Sequence, residues 1–290
     1  MSTTVSPDMK ICVVESNRKP LLGREWLRKL NLDWNQIFNA DYNAQAVSSL
    51  HKHQARIRLQ ANVQPIFIKA SKLPFALRDA VEKELEDLER NGIIKKIDSA
   101  KWATPIVPVK KQGNEVRLCG DYKIRVNPCI VVEEHPLPTI EKLFASMAGG
   151  QQFSKIDHTK AYLQLEVNPD DREILTLSTH RGLYQPTRLM YDITSGPVKW
   201  QREIEQILKD IDGVSVLLDD IKITAPNDDI HLQRLELVLS RLNKYNMRVN
   251  FDKCVFMGNE VEYCGYKIDR LGIHKSTREN RRNYTNARSS

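Results

Sequence analysis

Little in this chain points to a membrane, a secretory route or a disulfide scaffold. No apolar run among the 290 residues approaches the length needed to span a bilayer. Met1 to Lys10 show no charged region leading into an apolar stretch and no cleavage pattern, so an intracellular protein is expected. The 5 cysteines, Cys12, Cys119, Cys129, Cys254 and Cys264, are odd in number and form no C-x-x-C pair. That spacing argues against a disulfide framework or a zinc site and for reduced thiols. No internal repeat is visible either.

What is present is 41% hydrophobic content, enough for the core of one large or two smaller domains. The formal net charge of +7 favours a polyanionic partner such as nucleic acid. Part of that excess falls in a polar C-terminal stretch with Arg278, Arg281, Arg282 and Arg288, which reads as a solvated tail.

Periodicity organises the middle of the chain. Leu77, Val81, Leu85 and Leu88 recur at helical spacing, and Asn91-Gly92 supplies a C-cap. Trp102 to Lys111 reads as extended, Lys110 to Asn114 as a turn and Val116 to Tyr122 as a strand, giving a basic-tipped hairpin. Pro138 is expected to open a helix that Gly149-Gly150 ends. Phe153 to Asp157 and Glu173 to Thr179 read as strands, and Val198 to Ile211 and His231 to Asn246 as helices. Helices and short strands mix without regular β-α-β alternation, which argues for an α+β fold.

Val214 to Ile223, V-S-V-L-L-D-D-I-K-I, carries the chemistry. Its alternation fits two strands joined by a tight turn at Asp219-Asp220. Asp is favoured in turns on its own account. Here, however, two anions sit beside apolar strands, where they repel each other and resist desolvation. A divalent cation relieves both problems, and Mg²⁺ takes carboxylate oxygens while leaving room for phosphates. Asp157, ending its own strand, is the best third carboxylate. Two ions about 4 Å apart there would activate a 3′-hydroxyl and neutralise a leaving pyrophosphate. Lys111 at the hairpin tip and Arg117 on its second strand are placed to grip a triphosphate.

Five blocks then resemble, in order, the reverse transcriptase of gypsy-type LTR retrotransposons over about Leu73 to Thr277. They are V-R-L-C-G-D-Y-K-I-R-V-N-P from Val116, F-S-K-I-D-H-T-K-A-Y-L-Q-L from Phe153, G-L-Y-Q-P-T-R-L-M-Y-D-I-T-S-G-P-V-K-W-Q-R from Gly182, V-L-L-D-D-I from Val216, and N-F-D-K-C-V-F with V-E-Y-C-G-Y-K-I between Asn250 and Ile268. The resemblance implies a right-hand polymerase, with fingers and an antiparallel palm sheet over 73–277 and with thumb and RNase H truncated. It implies an RNA-directed DNA polymerase that extends a primer on an RNA or DNA template from dNTPs, using two Mg²⁺ ions held by Asp157, Asp219 and Asp220. Lys111, Arg117, Tyr162, Tyr191 and Gln201 match positions at the nucleotide site, Tyr162 as the aromatic gate under the sugar. P-L-L-G-R-E-W-L, from Pro20, is similar to the end of a retropepsin-type protease, so 1–35 is expected as its remnant, 36–72 as a linker and 278–290 as a tail. No D-[ST]-G triplet occurs, so protease activity is not expected. The resemblance places the protein in the cytoplasm or a retroelement particle.

The pattern breaks at Leu217, at Met190-Tyr191-Asp192 and, more mildly, at Ser195-Gly196-Pro197. Leu217 stands where the family has the Tyr before the acidic pair, and Asp192 stands at the Gly of its P-F-G. Leu217 is expected to weaken primer positioning, and Asp192 to add bulk and negative charge near a triphosphate. A catalytically degenerate remnant that at most binds nucleic acid is therefore the alternative reading.

Overall fold

The computed structural model describes residues 54–111, 113, 115–133 and 135–275. The protease-like segment expected at 1–35, the first part of the expected linker, and the polar tail lie outside the described residues. So do Gln112 and Asn114 at the tip of the basic hairpin. Among the described residues, no helix is long and apolar enough to cross a membrane. The four described cysteines Cys119, Cys129, Cys254 and Cys264 are unpaired.

In chain order the elements are β1 (Gln54–Ala55), α1 (Arg78–Arg90), β2 (Ile94–Ile97), β3 (Thr104–Lys110), β4 (Val116–Gly120), the single turn α2 (Tyr122–Arg125) and α3 (Ile140–Met147). β5 (Gln152–Asp157), β6 (Glu166–Val167), β7 (Leu177–Thr179), β8 (Gly182–Pro186), α4 (Gly196–Ile207), β9 (Val214–Leu217) and β10 (Asp220–Ala225) follow. The chain then forms α5 (Asp228–Lys244), β11 (Val255–Gly258), β12 (Glu260–Tyr263), β13 (Tyr266–Asp269) and β14 (Gly272–Lys275).

Two sheets dominate. One is four-stranded and antiparallel, in the order β11-β5-β10-β9. The other has five strands, β2-β8-β7-β3-β4, with one parallel pair, β3 and β7. A smaller antiparallel sheet, β12-β13-β14, stands beside the four-stranded one.

Period-2 alternation decides how the four-stranded sheet is covered. Ile221 and Ile223 of β10 and Ile156 of β5 turn into the main core, with Trp200 and Ile204 of α4 and Leu235, Val238, Leu239 and Leu242 of α5. Phe153 of β5 points the other way, into a second cluster with Leu143 and Met147 of α3 and Val261, Tyr263 and Ile268 of the small sheet. The alternating strands thus bury both faces and leave the strand ends open.

Helix termini follow their caps rather than the apolar periodicity. α5 starts three residues before the expected His231, because the Asn227 side chain accepts from the Ile230 N–H and Asp228 and Asp229 favour the dipole. α3 opens at Ile140 with Thr139, not Pro138, as its N-cap. α4 runs from Gly196 to Ile207, short of Ile211, yet Leu208 and Ile211 are still buried. Gly92 takes a φ of +66° after α1, as the Asn91-Gly92 pair requires.

Three expectations change. The strand expected over Glu173 to Thr179 is mostly 3₁₀ helix, Pro169–Leu175, and only Leu177–Thr179 is strand. The turn between β9 and β10 is Leu218-Asp219, because Leu217 pairs with Asp220, so Asp220 belongs to a strand. The expected linker is not free over 54–72. Ala55 and Ile57 are buried in the main core, the Ile57 N–H donates to Asp171 Oδ2 at 2.8 Å, and Leu59 and Phe67 bridge Ile130 and Ala103.

His231 makes the fold sensitive to acid. It is fully buried on α5, 2.7 Å from Ser154 Oγ of β5, and burial depresses its pKa to about 4. A depressed imidazole pKa means stability that is intact above about 6.5 and is lost as pH falls towards about 4. Full protonation is expected to cost on the order of 3 kcal/mol. His231→Gln should flatten the pH dependence of urea unfolding between those values. An unchanged slope would show that His231 does not carry it.

Candidate active site

The acidic residues are brought to one end of the four-stranded sheet by register. Asp220 on β10 pairs directly with Asp157 at the end of β5, and Asp219 occupies the adjoining turn. Beside them lies a cleft of about 420 Å³, lined by Asp157, Asp219, Lys111, Arg117, Tyr191 and Lys253 among others. Lys111 and Arg117 come from the β3–β4 hairpin, where Val109 pairs with Arg117 and the Lys111 N–H donates to Glu115 O at 2.9 Å. The local fold therefore sets two carboxylates against a basic hairpin.

The turn carrying Asp219 is held from beneath. Leu218 has a φ of +52°, a region that side-chain-bearing residues seldom occupy. The Leu218 N–H donates to Gln201 Oε1 at 2.7 Å, and Trp200 Nε1 donates to Leu218 O at 3.1 Å. Gln201 Nε2 donates to Val216 O at 3.0 Å, and His158 Nδ1 donates to Asp219 O at 3.2 Å. Together these bonds fix the backbone whose side chain is Asp219. Gln201 and Trp200 are fully buried, so they support the turn rather than face the cleft.

An aromatic series crosses the site. The Arg117 guanidinium lies 4.6 Å from the centre of the Tyr191 ring. Tyr191 meets Tyr162 edge-on at 5.9 Å, Tyr162 meets Trp200 at 6.3 Å, and Trp200 meets His158 at 5.2 Å. Arg117 Nε is buried with no acceptor among the described residues. Burial and the Asp219 charge push the Tyr162 hydroxyl up to about 12, so it stays protonated at neutral pH.

Electrostatics separate the three acids. Partial desolvation, then the charges of Asp157 and Asp220, push the Asp219 carboxyl above its ordinary pKa. Desolvation also raises Asp157, against the opposing pull of Lys253 and Lys155. Asp220 is ion-paired, with Lys155 Nζ at 3.2 Å from Oδ1 and Lys222 Nζ at 3.1 Å from Oδ2. Among the described residues no three His, Cys, Asp or Glu side chains converge tightly enough to hold a metal ion. The structure thus brings Asp157 and Asp219 to the cleft and leaves Asp220 engaged beside it. As hard oxygen donors that repel each other, those two still fit a hard divalent cation by chemistry.

Lys253 and His158 line the same cleft and escaped the sequence reading. Lys253 had a visible signal, its place in N-F-D-K-C-V-F, but nothing local brings it to Asp157. His158 had none beyond adjacency to Asp157. Leu217 turns into the cluster with Leu143 and Met147. Asp192 is exposed with a φ of +67°, a conformation that Asp tolerates better than most residues, so the loss of Gly costs the backbone little. Its charge lies within reach of Cys119, as does that of Arg117. Asp192→Gly is expected to leave the urea midpoint nearly unchanged and to tighten binding of inorganic triphosphate by about threefold to tenfold, since a repelling charge leaves a cleft that carries Lys111 and Arg117. An unaltered triphosphate affinity in titrations would remove Asp192 from that role.

An antiparallel sheet with acids at a hairpin turn, facing a basic β-hairpin, defines a right-hand polymerase of fingers and palm. The family described as reverse transcriptase (RNA-dependent DNA polymerase) matches residues 109–268, more than half of the chain. The chain belongs to the reverse transcriptase family. It is 35% identical over 223 residues to an uncharacterized protein of Caenorhabditis elegans, covering 76% of this chain and 17% of that protein. It is 29% identical over 285 residues to the retrovirus-related Pol polyprotein from transposon opus of Drosophila melanogaster, covering 93% of this chain and 28% of the polyprotein. The chain therefore spans less than a third of either relative. Among solved structures, the foamy viral protease-reverse transcriptase in complex with double-stranded DNA superimposes with a TM-score of 0.78 at 19% identity, over 91% of this chain and 50% of that one. The same viral protein with an RNA/DNA hybrid gives 0.77 at 20% identity, over 88% and 36%. At these identities the likeness establishes the fold.

Proposed function

We propose that this chain is the fingers and palm, over 73–277, of a gypsy-type LTR-retrotransposon reverse transcriptase, and that it extends a primer from dNTPs on an RNA or DNA template. The observation that carries this reading is the pairing of Asp157 and Asp219 on one side of a cleft with Lys111 and Arg117 on the other. In this reading the primer 3′-oxygen bonds to the α-phosphorus, the bond to the bridging oxygen breaks, and pyrophosphate leaves while the hydroxyl proton passes to solvent. Lys111 and Arg117 bind the triphosphate, Arg117 through the forked donors that Tyr191 orients. Tyr162 packs between Tyr191 and Trp200, where it floors the sugar pocket. Asp157 and Asp219 would hold Mg²⁺, which when bound supplies activation of the 3′-hydroxyl and neutralisation of the leaving group. Trp200, Gln201 and His158 act through the turn and keep Asp219 aimed.

Leu217 and Asp192 favour a second reading, a degenerate remnant that binds nucleic acid without turnover. Primed poly(rA)/oligo(dT) with dTTP and Mg²⁺ separates the two. Extension that depends on Mg²⁺ supports the polymerase. Steeply salt-dependent binding of the primed template with no extension supports the remnant.

A further inference from the structure

We propose that Glu205 is a positioning residue for the Asp219 turn: bridged to His135, in the segment ahead of α3, it sets the Gln201 amide that holds Leu218. This rests on the reading of Asp219 given above and adds two residues that touch no substrate.

Gln201 is fully buried. An amide can sit in two orientations of nearly equal shape. Only one serves the turn, with Oε1 accepting from the Leu218 N–H at 2.7 Å. Nε2 then gives one hydrogen to Val216 O at 3.0 Å and the other to Glu205 Oε1 at 2.6 Å. Reversal would set the amide oxygen against a carbonyl and a carboxylate, and the NH₂ group against the Leu218 N–H. A hydrogen bond to a carboxylate is about twice as strong as one between neutral groups, so Glu205 is the firmer of the two locks on Nε2. Gln201 and Glu205 stand four residues apart on α4, the spacing at which side chains meet along a helix.

Glu205 is held in its turn. Its Oε2 lies 2.8 Å from His135 Nε2, and since a carboxylate only accepts, Nε2 carries the hydrogen. His135 is brought there by a segment that runs alongside α4. Asn127 donates Nδ2 to Asp192 O at 2.7 Å and accepts from the Thr194 N–H at 3.0 Å, just ahead of the helix. Glu133 then pairs with Lys199 Nζ at 2.9 Å and with Arg202, and His135 closes the run on Glu205. Lys199 is buried, and a buried ammonium is tolerated only when paired, which fixes the segment at Glu133. A polar path thus leads from His135 through Glu205 and Gln201 to Leu218, whose φ of +52° makes it the strained end of that path.

Amide hydrogen exchange of the full chain, followed by NMR in EDTA, tests this without substrate. Glu205→Ala should speed exchange at the Leu218 N–H by at least about tenfold and leave that of Ile223, in mid-strand, within about threefold. Glu205→Gln keeps an acceptor for Gln201 Nε2 and should restore Leu218 to within about threefold of the parent chain. His135→Ala should speed Leu218 exchange about threefold. Glu205→Ala/His135→Ala should be no faster than Glu205→Ala alone, because His135 acts through Glu205. Unchanged exchange at Leu218 in Glu205→Ala overturns the proposal. Additive effects of the two alanines overturn it too, as does a joint rise at Leu218 and Ile223, which reports general loosening. Should Glu205→Ala not fold, His135→Ala decides, and no change at Leu218 overturns the proposal. In primer extension Glu205→Ala should lower kcat about threefold to tenfold and keep the nucleotide KM within about twofold. An effect confined to KM overturns the positioning role. A chain that extends no primer, yet shows the expected exchange pattern, sinks the polymerase reading and leaves the path to Leu218 standing.

Discussion

Asp219→Asn is expected to reduce primer extension by at least about 10³-fold, because in the function proposed above it removes a charge that faces the reacting phosphates. The same substitution should not lower thermal stability. In the folded protein Asp219 suffers partial desolvation and the charges of Asp157 and Asp220, so its carboxyl pKa is raised. A carboxyl with a raised folded-state pKa holds its proton more tightly in the fold than in the unfolded chain. Its contribution therefore falls as pH rises through the carboxylate range, and Asn removes that slope. The two effects oppose each other, so loss of rate cannot be attributed to unfolding. Single-nucleotide incorporation, with melting followed in EDTA, reads both. A variant that keeps more than about a tenth of the rate would take Asp219 out of the chemistry.

Gln201→Leu should produce the largest loss of stability at the site. Leu has similar bulk but leaves the Leu218 N–H and the Val216 carbonyl without their side-chain partner. Stranding two such groups is expected to cost on the order of 2–4 kcal/mol in urea unfolding. The rate of extension should fall too, since a loosened Leu218 no longer aims Asp219, and the effect should appear in kcat more than in the KM for nucleotide. Gln201→Glu retains an acceptor for the Leu218 N–H and should fall between the two. A cost below about 0.5 kcal/mol for Gln201→Leu would mean that backbone pairing alone holds the turn.

The contrast between Asp219 and Gln201 marks how far the sequence could be read. Asp157, Asp219, Lys111 and Arg117 stand in segments with strong local signals, a strand end, a tight turn and a basic hairpin. Their meeting at one cleft followed from five blocks in a recognisable order. Gln201 is different. Its resemblance put it at the nucleotide site, yet its amide is spent on the backbone beneath Asp219, a contact that depends on α4 crossing the β9–β10 hairpin. Lys222 was invisible for a similar reason. As the K of D-D-I-K-I it looks like a solvated strand residue, and only the docking of the small sheet buries it. Helix ends were misjudged where a polar cap, rather than an apolar residue, sets the boundary, as at Asn227. For Gln201 and Lys222 the deciding partner lies on another element, whereas the cap at Asn227 is local and was outweighed by the apolar periodicity.

The segment around Ile57 bears on where the described body can be cut without loss. Ala55 and Ile57 sit in the core, and β1 runs parallel to β6. A peptide-bond break anywhere between residues 60 and 72 would leave those side chains on the departing piece and open a gap where they had packed. Limited proteolysis that preserves this body must therefore spare the stretch from Gln54 to residue 72, so a segment that looks like a spacer is a strut of the fold.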